Sequence, residues 1–282
     1  MSKQGILVPT DLSEYSDAAL RYAATLRDRL GLSLTVVFAD EPGFPVNMPE
    51  MPLAVKERPP ADQKRVVAIV RRHVETIVPA PVPEIRTAFG SPADVILKTS
   101  TDVDAALIVM GTRGRRGLHR MMVGSVTESV LEDSLRPVLT LGPAAIAEKA
   151  APLQTILCPV NFSFVALDAM REAARIASRL DAELVILYVA EEKQPPLTAD
   201  LERELATWVD PHLGGRTKYR QMVATGQAAE QVLQIADEIS ADLIVIGAQH
   251  RIFRDSTVIG ATTERLVRFA RIPVLTVPRA EE

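Results

Sequence analysis

Three things are scarce in this sequence: cysteine, aromatic side chains and long hydrophobic runs. The one cysteine, Cys158, excludes an internal disulfide and fits a reducing compartment. It stands in the apolar run Ile156-Leu157-Cys158-Pro159-Val160, where a buried structural thiol is expected rather than a reactive one. Aromatic residues make up 4% of the 282, so the core must come from Ala, Val, Leu and Ile, which suits helices packed on a parallel sheet. No apolar stretch approaches the roughly 18 residues of a membrane span. The start, Met1-Ser2-Lys3-Gln4-Gly5, runs into a strand without a signal-peptide pattern, so a cytoplasmic protein with no membrane partner is expected. A net charge of −4 gives no electrostatic case for nucleic-acid binding. His73, His119, His212 and His250 lie in separate segments, and no Cys/His/Asp cluster has metal-ligand spacing. What is present is ordinary for a globular chain, 47% hydrophobic and 24% charged, and long enough for one large domain or two of average size.

The chain repeats itself. Gly5-Ile6-Leu7-Val8-Pro9-Thr10-Asp11-Leu12-Ser13-Glu14 returns 150 positions later as Thr155-Ile156-Leu157-Cys158-Pro159-Val160-Asn161-Phe162-Ser163-Phe164. In each copy a short apolar strand ends near a proline, an Asp or Asn follows, and a serine is placed to cap a helix. The helical stripe Ala19, Ala23, Leu26, Leu30, closed by Gly31, reappears as Ala169, Ala173, Ile176, Leu180. Leu34–Phe38 and Leu184–Tyr188 are the second strands. Beyond them the offset falls to 136: Gly90 matches Gly226, Gly111 matches Gly247, Gly124 matches Gly260, and Pro137-Val138-Leu139-Thr140 matches Pro273-Val274-Leu275-Thr276. The first copy is therefore 14 residues longer (150 against 136), in Glu41 to Asp62, where Pro42, Pro45, Pro49, Pro52, Pro59 and Pro60 point to an irregular loop, either a lid or a disordered excursion. Alternating short strands and helices predict an α/β fold. Two tandem Rossmann-like domains are expected, each an open five-stranded parallel sheet with helices on both faces, with the third strand the weakest signal. The small-residue stretch Ala144 to Pro152 places the boundary between residues 1–148 and 149–282.

The chemistry concentrates after the fourth strand, in Leu107-Ile108-Val109-Met110-Gly111-Thr112-Arg113-Gly114-Arg115-Arg116-Gly117, which continues to Gly124-Ser125-Val126-Thr127. A buried strand leads into a glycine-rich basic loop and then a helix for which Ser125 is the expected N-cap. Gly111 and Gly114 allow a sharp turn, Gly124 allows close approach to the helix, and a helix N-terminus favours an anion. The spacing Gly-x2-Gly-x9-Gly-Ser is neither the P-loop nor the dinucleotide fingerprint. In an open α/β sheet this loop should meet Pro9-Thr10-Asp11 and Phe38-Ala39-Asp40 at the C-terminal strand ends. Asp11 then has two readings: a hydrogen-bond acceptor for a ribose or an adenine amine, or an Asx-turn ahead of Ser13.

Pro9-Thr10-Asp11-Leu12-Ser13-Glu14 and Met110-Gly111-x2-Gly114-x9-Gly124-Ser125-Val126 resemble the two signatures of the universal stress protein family, in its ATP-binding branch, and the resemblance spans both halves. It implies that the first half holds ATP, or a related adenine nucleotide, with or without Mg. Asp11 would contact the nucleoside and the Ala39 backbone would meet adenine. Gly111, Gly114, Gly124 and Ser125 would hold the phosphates, and Pro9, Thr10, Met110 and Val126 complete the nucleotide-binding residues. Arg113, with Arg115 and Arg116, would add charge-assisted contacts or remain a solvated basic loop. The resemblance also implies pairing of the Pro-Val-Leu-Thr edges about a pseudo-twofold axis, an intramolecular pseudo-dimer or a homo-oligomer.

The second half departs from the pattern. Asn161 replaces the aspartate, His250 stands in place of the second glycine, and Ala261 lacks the hydroxyl of Ser125, so this half is expected to bind ATP poorly, although Thr262, Thr263, Arg251 and Arg254 remain nearby. Catalysis draws little support, because Ser125 has no evident general base and no other nucleotide-transferring motif is present. Three functions compete: an ATP-binding regulatory or stress-response protein, a slow ATPase or phosphotransferase, and an interaction scaffold without nucleotide.

Overall fold

A computed structural model describes residues 5–41, 60–114, 123–147, 153–190, 198–213, 217–248 and 260–279. Contacts divide the chain into two compact units, Met1–Arg136 and Pro137–Glu282.

The first unit contains β1 (Gly5–Thr10), α1 (Glu14–Leu30), β2 (Ser33–Asp40), α2 (Pro60–Glu75), β3 (Glu84–Phe89), α3 (Pro92–Asp102), β4 (Ala105–Gly111) and α4 (Ser125–Asp133). Its strands are parallel in the order β3-β2-β1-β4. The chain walks outward from β1 to β3 and then returns beside β1, so right-handed crossovers put α1 and α2 on one face and α3 and α4 on the other. The strand order reverses between β1 and β4, which is where the C-terminal ends of an open sheet leave a crevice.

The local reasons are legible along α1. Ser13 Oγ accepts from Ser16 N at 3.4 Å, Ser16 Oγ accepts in return from Ser13 N at 3.1 Å, and Gly31 closes the helix at φ 66°, in the left-handed region that glycine enters without cost. Ala19 and Ala23 are fully buried, and their small side chains let α1 lie close on β1 and β4. Ile6, Leu7, Val8 and Ile108 are fully buried at the centre of the sheet. β3 is half-exposed along most of its length, which is why its apolar pattern is faint. Most of the proline-rich excursion lies outside the described residues. Its last part, Pro60 to Asp62, is not loop but the start of α2, with proline in the first turn, where its missing N–H costs nothing.

The second unit contains β5 (Val138–Leu141), α5 (Pro143–Ala147), β6 (Thr155–Val160), α6 (Phe164–Leu180), β7 (Glu183–Ala190), α7 (Thr198–Leu213), β8 (Tyr219–Thr225), α8 (Ala228–Glu238), β9 (Leu243–Gly247), α9 (Ala261–Phe269) and β10 (Val274–Val277). The order is β5-β10-β9-β6-β7-β8, parallel from β10 to β8. The contact boundary at Arg136/Pro137 falls before β5, which pairs with β10 of the second unit.

β5 runs antiparallel to β10 with Thr140 opposite Val274, Leu139 opposite Leu275 and Val138 opposite Thr276. The register is symmetric about Leu139 and Leu275. Two matched hydrogen bonds reinforce it: Thr140 Oγ1 donates to Val274 O at 3.2 Å and Thr276 Oγ1 to Val138 O at 2.9 Å. β10 therefore has a strand on each side, and no apolar edge is left at that position. Cys158 is fully buried in β6, and burial pushes its thiol up to about 12, so it is inert as well as unpaired.

Candidate functional site

The turn after β1 is fixed by its own side chains. Asp11 Oδ1 accepts from Ser13 N at 3.1 Å and from Ser13 Oγ at 2.5 Å, the Asx-turn anticipated as one of two readings. Thr10 is buried, and its hydroxyl is held by Ser16 Oγ at 3.2 Å and accepts from Leu12 N at 3.1 Å. Thr10 is thus a brace for the turn. Leu12 sits at φ 61°, a left-handed conformation that costs a side-chain-bearing residue about 1 kcal/mol. The second unit repeats the Asx-turn and the left-handed residue but not the hydroxyl brace, since Val160 and Ala166 replace Thr10 and Ser16: Asn161 Oδ1 accepts from Ser163 N at 3.4 Å and Ser163 Oγ at 2.7 Å, and Phe162 stands at φ 59°. Replacing Asp11 by its counterpart asparagine keeps the turn and removes the charge. The strain at Leu12 and Phe162 was not visible in the sequence, since neither residue type favours a positive φ.

The glycines separate into two kinds. A Cβ on Gly111 would stand 3.0 Å from Tyr15 O, and one on Gly247 would stand 2.6 Å from Val165 O. In both units this glycine lets the first turn of α1 or α6 press against the end of a strand, so it serves packing and does not distinguish the two copies. Gly114 is different. A Cβ there would lie 2.8 Å from Asp11 Oδ2, so the loop after β4 closes directly on the carboxylate after β1. Gly124 completes the closure: its N–H donates to Thr112 O at 2.8 Å, and a Cβ would come within 3.3 Å of the same oxygen. The equivalent Gly260 faces open space.

Gly124, not Ser125, is the N-cap of α4, at φ −68° and ψ 143°, and no side chain caps the helix. Ser125 is the first helical residue and is exposed. The first helical bond runs from Glu128 N to Gly124 O, which leaves the N–H groups of Ser125, Val126 and Thr127 without an acceptor inside the helix. One hydroxyl in that turn has a structural task. Thr127 Oγ1 donates to Gly111 O at 3.0 Å while fully buried, and Thr263 Oγ1 donates to Gly247 O at 3.4 Å. Thr263 is therefore occupied by the fold rather than held for an anion. The recurrence of Thr sixteen residues after each glycine was available in the sequence as the signal for it. Thr127→Val should lower stability by about 1 kcal/mol by leaving Gly111 O unpaired, read as a shift of the urea midpoint at constant m.

The remaining candidates fall into place around this corner. Pro9 and Ala39 are half-buried at the ends of β1 and β2, Pro9 facing Val37 in the ladder. Met110 is buried in β4, so its side chain belongs to the core. Val126 and Arg113 are half-buried, whereas Arg115, Arg116, His250, Arg251 and Arg254 lie outside the described residues. Asp40, which closes β2, is 5% exposed and its carbonyl accepts from Gly90 N at 3.2 Å, a buried carboxylate with Ala190 as its counterpart. Among the described residues no group of three or more His, Cys, Asp or Glu could hold a metal ion, and no helix is long and apolar enough to cross a membrane.

Comparison with known proteins agrees with this architecture. A universal stress protein of Mycolicibacterium smegmatis is 27% identical over 296 residues, spanning 98% of this chain and 97% of the relative. A universal stress protein of Mycobacterium tuberculosis is 24% identical over 289 residues, spanning 97% and 96%. The crystal structure of a universal stress protein from Archaeoglobus fulgidus superposes with a TM-score of 0.73 at 23% identity, covering 99% of this chain and all of that one, a likeness of fold. The model of the universal stress protein family matches residues 4–141 and again 152–278. The chain belongs to the universal stress protein family and is of its tandem type, with two copies of the domain in succession.

Proposed function

We propose that the first unit binds ATP or a related adenine nucleotide at the corner between β1 and β4, and that occupancy of this site, rather than turnover, is the protein's output in a regulatory or stress-response role. The observation that carries this reading is the closure of Gly114 onto Asp11 Oδ2, beside a helix whose first-turn N–H groups have no side-chain cap. A carboxylate at one end suits ribose hydroxyls or the adenine amine, and first-turn N–H groups without an acceptor inside the helix suit phosphate oxygens at the other. Pro9 and the backbone of Ala39 would flank the nucleoside, with Gly124, Ser125, Val126 and Arg113 toward the phosphates. Any Mg would travel with the phosphates, which is how this ion is commonly held. Ser125 has no hydrogen-bonded base among the described residues, which favours binding over phosphoryl transfer.

Calorimetry with ATP on the full chain should give one site. Asp11→Asn should lower affinity about tenfold through loss of charge-assisted hydrogen bonds, with the melting temperature of the unliganded protein unchanged because Asn161 already makes the same turn. Saturation to about 100 times Kd should stabilise the wild-type first unit by about 2.7 kcal/mol. Two equivalent sites, or undiminished affinity in Asp11→Asn, would contradict this assignment.

A further inference from the structure

Among the described residues, the second unit carries a group of rings that the first does not. Phe162 stacks on Tyr188 with centroids 4.6 Å apart and planes 28° from parallel, and Trp208 meets Phe162 edge-on at 5.6 Å. His212 extends the row, 6.1 Å from Trp208. These rings come from three elements: the turn after β6, the last residues of β7 and the second half of α7.

Their positions correspond to the nucleoside end of the proposed site. Phe162 follows Asn161 as Leu12 follows Asp11, and the two backbones share the same left-handed conformation, φ 59° and 61°, so both side chains leave the turn in the same direction. Tyr188 stands opposite Val160 in the ladder as Phe38 stands opposite Thr10. Trp208 precedes the buried Val209 in α7 as His73 precedes the buried Val74 in α2. In the first unit His73 is drawn to α1, its Nε2 2.7 Å from Asp17 Oδ1. In the second, Leu167 replaces that aspartate and the tryptophan turns to Phe162. A stacked pair leaves no room for a third ring between its members.

We propose that the second unit is closed to adenine nucleotides from within: the ring of Phe162, stacked on Tyr188 and met by Trp208, fills the space that the nucleobase takes in the first unit. The proposal rests on the nucleotide reading of the first unit for its meaning. It adds a cause for the division of labour that is independent of the altered phosphate loop. His250→Gly combined with Ala261→Ser would not create a second ATP site while Phe162 stays.

Trp208 is the only tryptophan in the chain, so an isotope-labelled sample shows one indole N–H resonance, and it belongs to this cluster. The probe is adenosine, which has no phosphate and so does not depend on the glycine loop. In the wild type the indole resonance should not move as adenosine is added. In Phe162→Leu, which installs the first unit's residue at the same backbone conformation, the resonance should shift saturably with an apparent Kd at least about tenfold below any limit set for the wild type. The reciprocal Leu12→Phe should lower ATP affinity of the first unit by about tenfold or more in calorimetry. A saturable indole shift already present in the wild type would show an open aromatic platform and overturn the proposal. An unmoved resonance in a Phe162→Leu protein whose melting curve shows an intact fold would overturn it as well. If the wild type binds no ATP, the reading of the first unit fails by itself, and the Phe162→Leu titration still decides the closure.

Discussion

Gly114→Ala should lower ATP affinity by about 10- to 100-fold, the largest effect expected of a single methyl group anywhere in the first unit. The added Cβ would sit 2.8 Å from Asp11 Oδ2. Such a contact is harmless when a flexible side chain can swing away, but this one cannot. The other carboxylate oxygen is held by the N–H and hydroxyl of Ser13, and that serine caps α1. Moving Asp11 therefore unpicks the helix cap, and moving the loop instead withdraws it from the first turn of α4. Each route costs about 1–3 kcal/mol. A double-mutant cycle separates this geometry from a general intolerance of the loop. In an Asp11→Ala background the obstructing carboxylate is gone, so the stability penalty of Gly114→Ala should fall below about 0.5 kcal/mol. Equal penalties in both backgrounds would mean that Gly114 does not touch Asp11 in solution. The more severe Gly114→His, which copies His250 of the second half into the first, should abolish measurable binding.

Cutting the chain between the two family domains should damage the second unit, although the cut falls in a natural sequence boundary. A fragment of residues 154–282 retains β6 to β10 but lacks β5, the antiparallel partner of β10. It loses the contacts of Val138, Leu139 and Leu141, each 2% exposed, and the two threonine hydroxyl bonds across the pair. At about 1.5–3 kcal/mol for each large aliphatic side chain buried, the loss amounts to several kcal/mol. It also exposes the apolar edge of β10, an open template for pairing. Residues 137–282 should melt cooperatively, and residues 154–282 should melt at least about 10 °C lower or associate by pairing β10 with a second copy. Sedimentation at two concentrations distinguishes the two. A monomeric 154–282 fragment with undiminished melting temperature would show that β5 contributes little. Leu275→Pro in the full chain should act in the same direction by removing a ladder N–H from a strand bonded on both sides.

The two effects differ in how far they could be foreseen. The repeat, the order of strands and helices, the Ser13 and Ser163 caps and the Gly31 stop were all written in residues whose preferences are local. A serine just before a helical stripe readily accepts from its first turn, and a glycine just after one enters a positive φ without cost. The glycine spacing likewise named the loop after β4. It did not sort the glycines, because a glycine needed for packing and one needed for a ligand are the same letter. Gly111 turned out to face Tyr15 and Gly114 to face Asp11, and only coordinates distinguish them.

What the sequence by itself determined is thus the α/β class, the doubling of the domain, the C-terminal corner where Asp11 and the glycine loop would meet, and the erosion of that pattern in the second half. Periodicity and capping are short-range, and each is decided within a turn of helix or a few residues of strand. The tertiary structure alone decided four further matters. It set the register of β5 on β10, put the N-cap of α4 at Gly124 rather than Ser125, committed Thr127 and Thr263 to strand carbonyls, and stacked Phe162 on Tyr188. Each of these depends on a partner many positions away in the chain. The free energy of such a contact depends on which atoms the fold brings within a few ångströms, and that is not encoded in either residue alone.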